Sequence, residues 1–474
     1  MCLRDLAAIT LAAITLAAIT TGVVAPVSSA GQLDRCEFRA AERLLIVRLA
    51  PGWSQTEIME RGSERRIEIA PRSAPNPECN GATVDDVDEI RIRGTGEDES
   101  VSITLAWGVA FDIDLLARRD SLTMAAAGMG VTVTGHQIDA VTSSVSFRSI
   151  RRLAFAEPTG LDASGVAPGV SISVDDGSGT IIGGPGNDRL RGSDGPDVLI
   201  GGRGNDVLSG EAGDDAIVGG PAADVVTELC ECGELGDGAD QLDGSGGGRD
   251  RLVYSYREAF DQVVSGVVVR NDGSACSGAD VNADGDACDP SDERDSVEGF
   301  EVFWGGFGDD ILLGEAGVDE TFVPWWGTDT IVGNAGDRES LDVSNLDGGG
   351  TGVWVNLVDG VAEGHRGVAM LSPTDSFLRI IGSGSSDFLG GGGGVGRLYL
   401  SGAGADEVMA GAGDDVVKAG PQPDRVHGGA GDDRVVGGSG GDRLAGGTGA
   451  DTAKGGRGHD RCRAERTIAC EVDR

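Results

Sequence analysis

A nine-residue period fixes what the second half of this chain can become. From Ser401 the sequence divides without a gap into SGAGADEVM, AGAGDDVVK, AGPQPDRVH, GGAGDDRVV, GGSGGDRLA, GGTGADTAK and GGRGHDRCR. The sixth position is aspartate every time: Asp406, Asp415, Asp424, Asp433, Asp442, Asp451 and Asp460. The eighth is Val408, Val417, Val426, Val435, Leu444, Ala453 and Cys462. An earlier array from Gly183 to Thr227 has the same phase, with Asp188, Asp197, Asp206, Asp215 and Asp224 at the sixth position and Leu190, Leu199, Leu208, Ile217 and Val226 at the eighth. A worn array after Trp304 carries Asp310, Asp319 and Asp329, and isolated copies place Asp387, Asp240 and Asp250. A unit this short buries its one apolar side chain only by stacking on its neighbours.

The unit GGxGxDxUx resembles the RTX, or haemolysin-type, calcium-binding repeat of secreted bacterial proteins, and the resemblance covers most of residues 181–474. It implies an all-β fold, a right-handed parallel β-roll or β-helix, in which two units form one coil and the eighth-position side chains point inward. It also implies that the sixth-position aspartates are side-chain ligands of Ca2+, with a site between units n and n+2 on one edge. The chemistry agrees. Glycine at positions one, two and four permits positive φ and exposes carbonyls, and calcium takes six to eight oxygen ligands.

Electrostatics then make the ion structural. Coils stack about 4.8 Å apart, and two carboxylates at that distance repel by roughly 3.5 kcal/mol at an effective dielectric of 20. One small aliphatic per unit contributes about 1.5–3 kcal/mol, against about 1–2 kcal/mol per residue for ordering the backbone. Without calcium the region 181–474 is expected to be largely disordered. Four departures from the consensus stand out: Gly396 and Arg338 at sixth positions, and Gln422 and Ala222 where glycine is expected.

Residues 1–30 read as a secretory signal peptide: Arg4, a three-fold LAAIT run, then Ser28-Ser29-Ala30 before a cleavage point at Gly31. Residues 31–180 lack the nonapeptide and are read as a β-rich N-terminal domain, with strands at Leu44–Leu49, Arg66–Ile69, Glu89–Arg93, Val101–Leu105 and Val131–Thr134. Its CNGATVDDVDEIRIRG stretch is similar to the N-terminal segment of many secreted RTX proteins. Residues 181–304 hold an array with linking rungs, 305–400 degenerate repeats and further linking rungs, and 401–474 the C-terminal array. Strands are expected at Leu252–Tyr256, Val263–Val269 and Val353–Leu357. A separate acidic loop places Asp280, Asn282 and Asp284 at the spacing that opens an EF-hand-like calcium loop, though Ser291 stands where the closing Glu would be.

The cysteines remaining after the signal are even in number, which suits an oxidising compartment. Proximity suggests Cys276–Cys288 and Cys462–Cys470, and then Cys36–Cys79; Cys230 and Cys232 stay unassigned. The net charge of −40 repels nucleic acid and anionic membranes and attracts cations. After the signal no apolar run is long enough to insert in a membrane. No H-E-x-x-H occurs, the G-x-S-x-G match at Ser439 is the start of a repeat, and His136, Asp139 and Ser143 read as a surface turn. Trp325-Trp326 reads as core packing or a roll cap. The composite expectation is a secreted, non-enzymatic calcium-binding scaffold with an unidentified protein or carbohydrate partner. Its alternative is a calcium-dependent extracellular hydrolase whose catalytic part lies in 31–180.

Overall fold

A computed structural model describes residues 36–49, 55–61, 66–71, 78–83, 87–94, 100–104, 110–114, 120–125, 131–140, 143–148, 150–168, 170–227, 240–244, 249–253, 267–270, 275–279, 295–305, 309–334, 337–348 and 350–472. The expected signal peptide, Cys230, Cys232, Cys288 and the acidic loop at Asp280, Asn282 and Asp284 lie outside the described residues. The described regular structure is all β apart from two short 3-10 turns. It falls into two compact units, one before residue 188 and one from it onward.

The second unit follows directly from the nonapeptide. Each xUx segment is a short strand, and strands two units apart pair in parallel with a register step of eighteen, as in Glu407↔Arg425↔Arg443↔Arg461. Alternate units therefore feed alternate sheets. One sheet runs in unbroken parallel order from Arg189–Arg191 through Val207–Ser209 and Val302–Trp304 to Thr452–Arg457 and Arg466–Ile468. The eighth-position side chains from both sheets form the core; Leu199, Leu208, Ile217, Val226, Val417 and Val435 are fully buried. The seventh and ninth positions face outward, so Arg425 and His427 are exposed. This is the parallel β-roll architecture the repeat implies.

The other sheet is interrupted twice by the same device. The strand Val267–Arg270 pairs in parallel with Ile311–Leu313, turns back antiparallel through Ala275–Ala279, and returns as Asp295–Glu298 to pair in parallel with Gln241–Asp243. Likewise Trp354–Asn356 pairs with Phe388–Gly390, Val361–Glu363 runs back, and Gly367–Ser372 pairs with Gly327–Val332. Each insertion adds strands to the sheet without opening the stack. The expected linking strands at Leu252, Val263 and Val353 fall on Arg251–Val253, Val267–Arg270 and Trp354–Asn356 where they are described.

The first unit is also a stack of parallel rungs, which composition did not reveal. Leu44–Arg48, Glu89–Arg93, Ala110–Asp114 and Ser143–Arg148 pair in parallel, and Gln55–Arg61, Ser100–Thr104, Asp120–Ala125, Ile150–Ala156 and Ser171–Asp175 form a second parallel series. Hairpins branch from these rungs, as at Gln55–Arg61 with Arg66–Pro71. Rungs here bury two apolar side chains per strand, Ile90 with Ile92, Val101 with Ile103 and Leu153 with Phe155, where the nonapeptide buries one.

The two fourth-position departures keep the turn shape instead of losing it. Ala222 sits at φ +149° and Gln422 at φ +77°, in the region the equivalent glycines Gly431 and Gly449 occupy. A Cβ there is strained by about 1–2 kcal/mol. Ala222→Gly should therefore raise the stability of the folded chain by about 1 kcal/mol, read as an increased Tm in thermal unfolding at saturating calcium; an unchanged or lowered Tm would show that the site carries no such strain.

Candidate metal centre

Every sixth-position aspartate of the two gapless arrays is buried, although each lies at a turn on the edge of the stack. One carboxylate oxygen is committed to the backbone. Oδ1 of Asp206 accepts from the Asp188 N–H and Oδ1 of Asp224 from that of Asp206, each at 2.8 Å. The ladder repeats at eighteen-residue steps through Asp415, Asp433 and Asp451 on one edge and through Asp406, Asp424, Asp442 and Asp460 on the other, where Asp387 precedes Asp406 by nineteen. Asp197 and Asp215 follow the same rule.

The second oxygen is left over. Oδ2 of Asp206, Asp224, Asp406, Asp415, Asp424, Asp433, Asp442, Asp451 and Asp460 is buried without any hydrogen-bond partner. A buried carboxylate oxygen with no donor is costly, and a whole column of them calls for a cation. Glycine makes the room. A Cβ on Gly201 would come within 2.5 Å of Asp206 Oδ2 and 2.7 Å of the Gly219 carbonyl oxygen, so both oxygens converge on the space a side chain would fill. Gly428 and Gly437 face the same pair of oxygen types in the C-terminal array. Second-position carbonyls point along the stack in the same way, that of Gly411 toward Gly429 and that of Gly429 toward Gly447. Carboxylate and carbonyl oxygens in this arrangement fit the hard oxygen donors calcium takes. Among the described residues no three His, Cys, Asp or Glu side chains converge as a cluster, so a bound ion would draw much of its coordination from the backbone.

In the worn rungs the ladder changes residue. The segments GEAGVDETFV and GNAGDRESLD are ten residues long, so the acid moves to the seventh position and the apolar residue to the ninth. Glu320 and Glu339 are fully buried, with the Glu320 N–H donating to Glu339 Oε2 at 3.0 Å, and Phe322 and Leu341 fill the core. Asp319 is exposed and accepts instead from the Arg338 N–H. The ladder place read as Asp319 thus belongs to Glu320, and the place read as Arg338 to Glu339. Glu301 and Glu465 extend the column by accepting from the backbone of Asp250 and Asp451. The signal for Glu320 and Glu339 was present in the sequence as an inserted residue, hidden by a fixed period of nine; Glu301 and Glu465 lie at irregular steps of fifty-one and fourteen residues from their donors. Asp310 keeps its place and donates its N–H to Asp329 Oδ1. Asp387 lies on the same edge as Asp310, opposite Glu320 and Glu339, and there its Oδ1 accepts from Val353 N–H and its Oδ2 from Ser383 N–H.

Asp139 accepts from Gln137 Nε2 at 2.8 Å, His136 is exposed at the turn between two strands, and Ser439 ends an outer strand, also exposed. Trp326 is 44% exposed with the Arg366 guanidinium over its ring at 5.9 Å. Cys462 and Cys470 are bonded, as proximity suggested, and Cys36 is disulfide-bonded. Among the described residues no helix is long and apolar enough to cross a membrane.

A model of the RTX calcium-binding nonapeptide repeat, four copies long, matches residues 173–202, 191–226, 296–320, 400–435 and 436–466. No curated protein matches the chain.

Burial pushes the ladder carboxyls up, aided by the neighbouring carboxylates: Asp206 and Asp406 to about 6, and Asp415 and Asp424 to about 7. In the unfolded chain they titrate near 3.9. The folded, metal-free array therefore holds protons that the unfolded chain releases, and its stability should fall as pH rises from about 4 through about 7. Urea unfolding in chelator across that range should show the decline, and saturating calcium should abolish it. Metal-free stability that rises with pH would contradict the buried acidic column.

Proposed function

We propose that this chain, which carries RTX-type calcium-binding nonapeptide repeats, is a secreted, non-enzymatic scaffold whose repeat region takes its shape from calcium. The observation that carries this reading is the row of buried Oδ2 atoms without hydrogen-bond partners on both edges of the stack. Asp188, Asp197, Asp206, Asp215 and Asp224 in the first array and Asp406 through Asp460 in the second are the proposed carboxylate ligands, with turn carbonyls completing each set; Asp310 and Asp387 serve single rungs. When bound, the ion supplies the positive charge that lets adjacent carboxylates lie one coil apart. The protein's own part is to hold each Oδ1 on the backbone of the neighbouring coil, which fixes where Oδ2 lies, and to keep side chains out of the turn by using glycine. Asp280, Asn282 and Asp284 are proposed as a separate calcium loop from their spacing alone.

Export is part of the proposal and rests on the N-terminal segment and the paired cysteines. Mass spectrometry of the culture supernatant should find a mature N-terminus at or near Gly31; full-length protein confined to the cytosol would contradict it.

The calcium reading is tested on the full chain. Asp433 links to both neighbours, its Oδ1 accepting from Asp415 and its N–H donating to Asp451 Oδ1, whereas the Asp460 carboxylate serves Asp442 alone. Circular dichroism during a calcium titration should give a higher midpoint for Asp433→Ala than for Asp460→Ala, and wild type should be lowest. If the spectrum of the wild type stays the same after exhaustive chelation and all three midpoints coincide, the carboxylates are a buried acidic stripe without a metal role.

A further inference from the structure

One turn of the stack carries a cation of its own. The segment Gly391–Leu400 reads GGGGVGRLYL, another ten-residue unit, and its seventh residue is Arg397 in place of an acid. Arg397 holds the ladder place: its N–H donates to Asp415 Oδ1 at 2.7 Å, as aspartate N–H groups do elsewhere. Its side chain does not reach solvent. Arg397 is 3% exposed, and the next core position is the fully buried Tyr399.

The guanidinium donates to four backbone carbonyls. Nε bonds Phe377 O at 3.1 Å, Nη2 bonds Thr374 O at 3.3 Å, and Nη1 bonds Val395 O at 3.3 Å and also Gly392 O. Gly392 and Val395 belong to its own turn. Thr374 and Phe377 belong to the turn one coil earlier, since Phe377–Ile381 pairs with Leu398–Leu400. Among the described residues no carboxylate forms an ion pair with it. A buried charge is costly unless compensated, and here carbonyl dipoles of two successive turns supply the hydrogen bonds while the Asp415 carboxylate of the next coil attracts the charge. The planar fork with its five donors suits a ring of carbonyls that a lysine could not span.

We propose that the Arg397 guanidinium stands where an aspartate turn would hold calcium, so that the turn 391–397 is tied to its preceding coil without metal. This rests on the calcium reading of the aspartate turns. It adds that one edge position is filled permanently by the chain itself, directly before the C-terminal array. That array then has an ordered coil to build on before calcium arrives. The central rungs suit this role, because they bury Phe303, Phe322, Phe377 and Tyr399 where the arrays bury valine, leucine and alanine.

Hydrogen exchange of the full chain with and without chelator decides the matter. In wild type, amides of 374–377 and 391–397 should stay protected in chelator, while those of 428–433 lose protection by about ten-fold or more. Loss of protection at 391–397 in step with 428–433 overturns the proposal. An array at 428–433 indifferent to chelator would instead strike at the calcium reading. Arg397→Gln should remove the chelator-resistant protection. Arg397→Asp should restore a 397/415 acidic pair and bind one calcium more per chain than wild type, counted by equilibrium dialysis. A folded Arg397→Asp chain with the wild-type calcium count also overturns the proposal; should it fail to fold, the wild-type exchange pattern alone decides.

Discussion

Repulsion within a column of buried carboxylates governs this molecule. Each ladder aspartate spends one oxygen on a backbone N–H of the adjacent coil, and this bond brings the carboxylates into line. At Asp206, Asp224 and the seven aspartates from Asp406 to Asp460 the other oxygen is left buried and without a donor. A hydrogen-bonding pattern that stacks the turns thus creates the charge problem that opposes the stacking. Protons relieve it at low pH at Asp406 and Asp415, which burial lifts to about 6 and about 7. At neutral pH a divalent cation with hard oxygen ligands would relieve it, as proposed above. In the turn at Arg397 the chain itself supplies the positive charge.

The two units answer the same stacking requirement differently. Parallel rungs before residue 188 bury pairs such as Ile90 with Ile92 on one strand, and the exposed rims are tied by pairs such as Arg93 with Asp112 at 2.6 Å. Rungs of this kind gain about twice the apolar burial per strand. Rungs in the gapless arrays gain one small side chain and depend on what fills the edges. The central rungs lie between these cases, with stacked phenylalanines 5.9 Å apart at Phe303 and Phe322. The volume of the inward residue thus varies along one chain, from paired aliphatics through phenylalanine to single valines and alanines.

The sequence by itself marked the aspartate and the apolar residue of every unit in the two gapless arrays, and its resemblance to RTX repeats implied a parallel coil of two units. Once Asp and the apolar residue recur at fixed offsets, every turn of an array must be equivalent to the next. Only the tertiary structure decided the rest. It placed Glu320, Glu339 and Arg397 in the ladder, because one inserted residue shifts the acid from sixth to seventh, and a fixed frame assigns the wrong neighbour. It kept the turns at Ala222 and Gln422, because the coils on either side impose positive φ even on residues that resist it. It showed that residues before 188 are also stacked in parallel, which no local pattern encodes. Their partners lie at uneven separations of nineteen to forty-five residues, as Leu153↔Ile172 and Leu45↔Ile90 show, and strands of ordinary alternating composition pair in either direction until the fold brings their partners alongside.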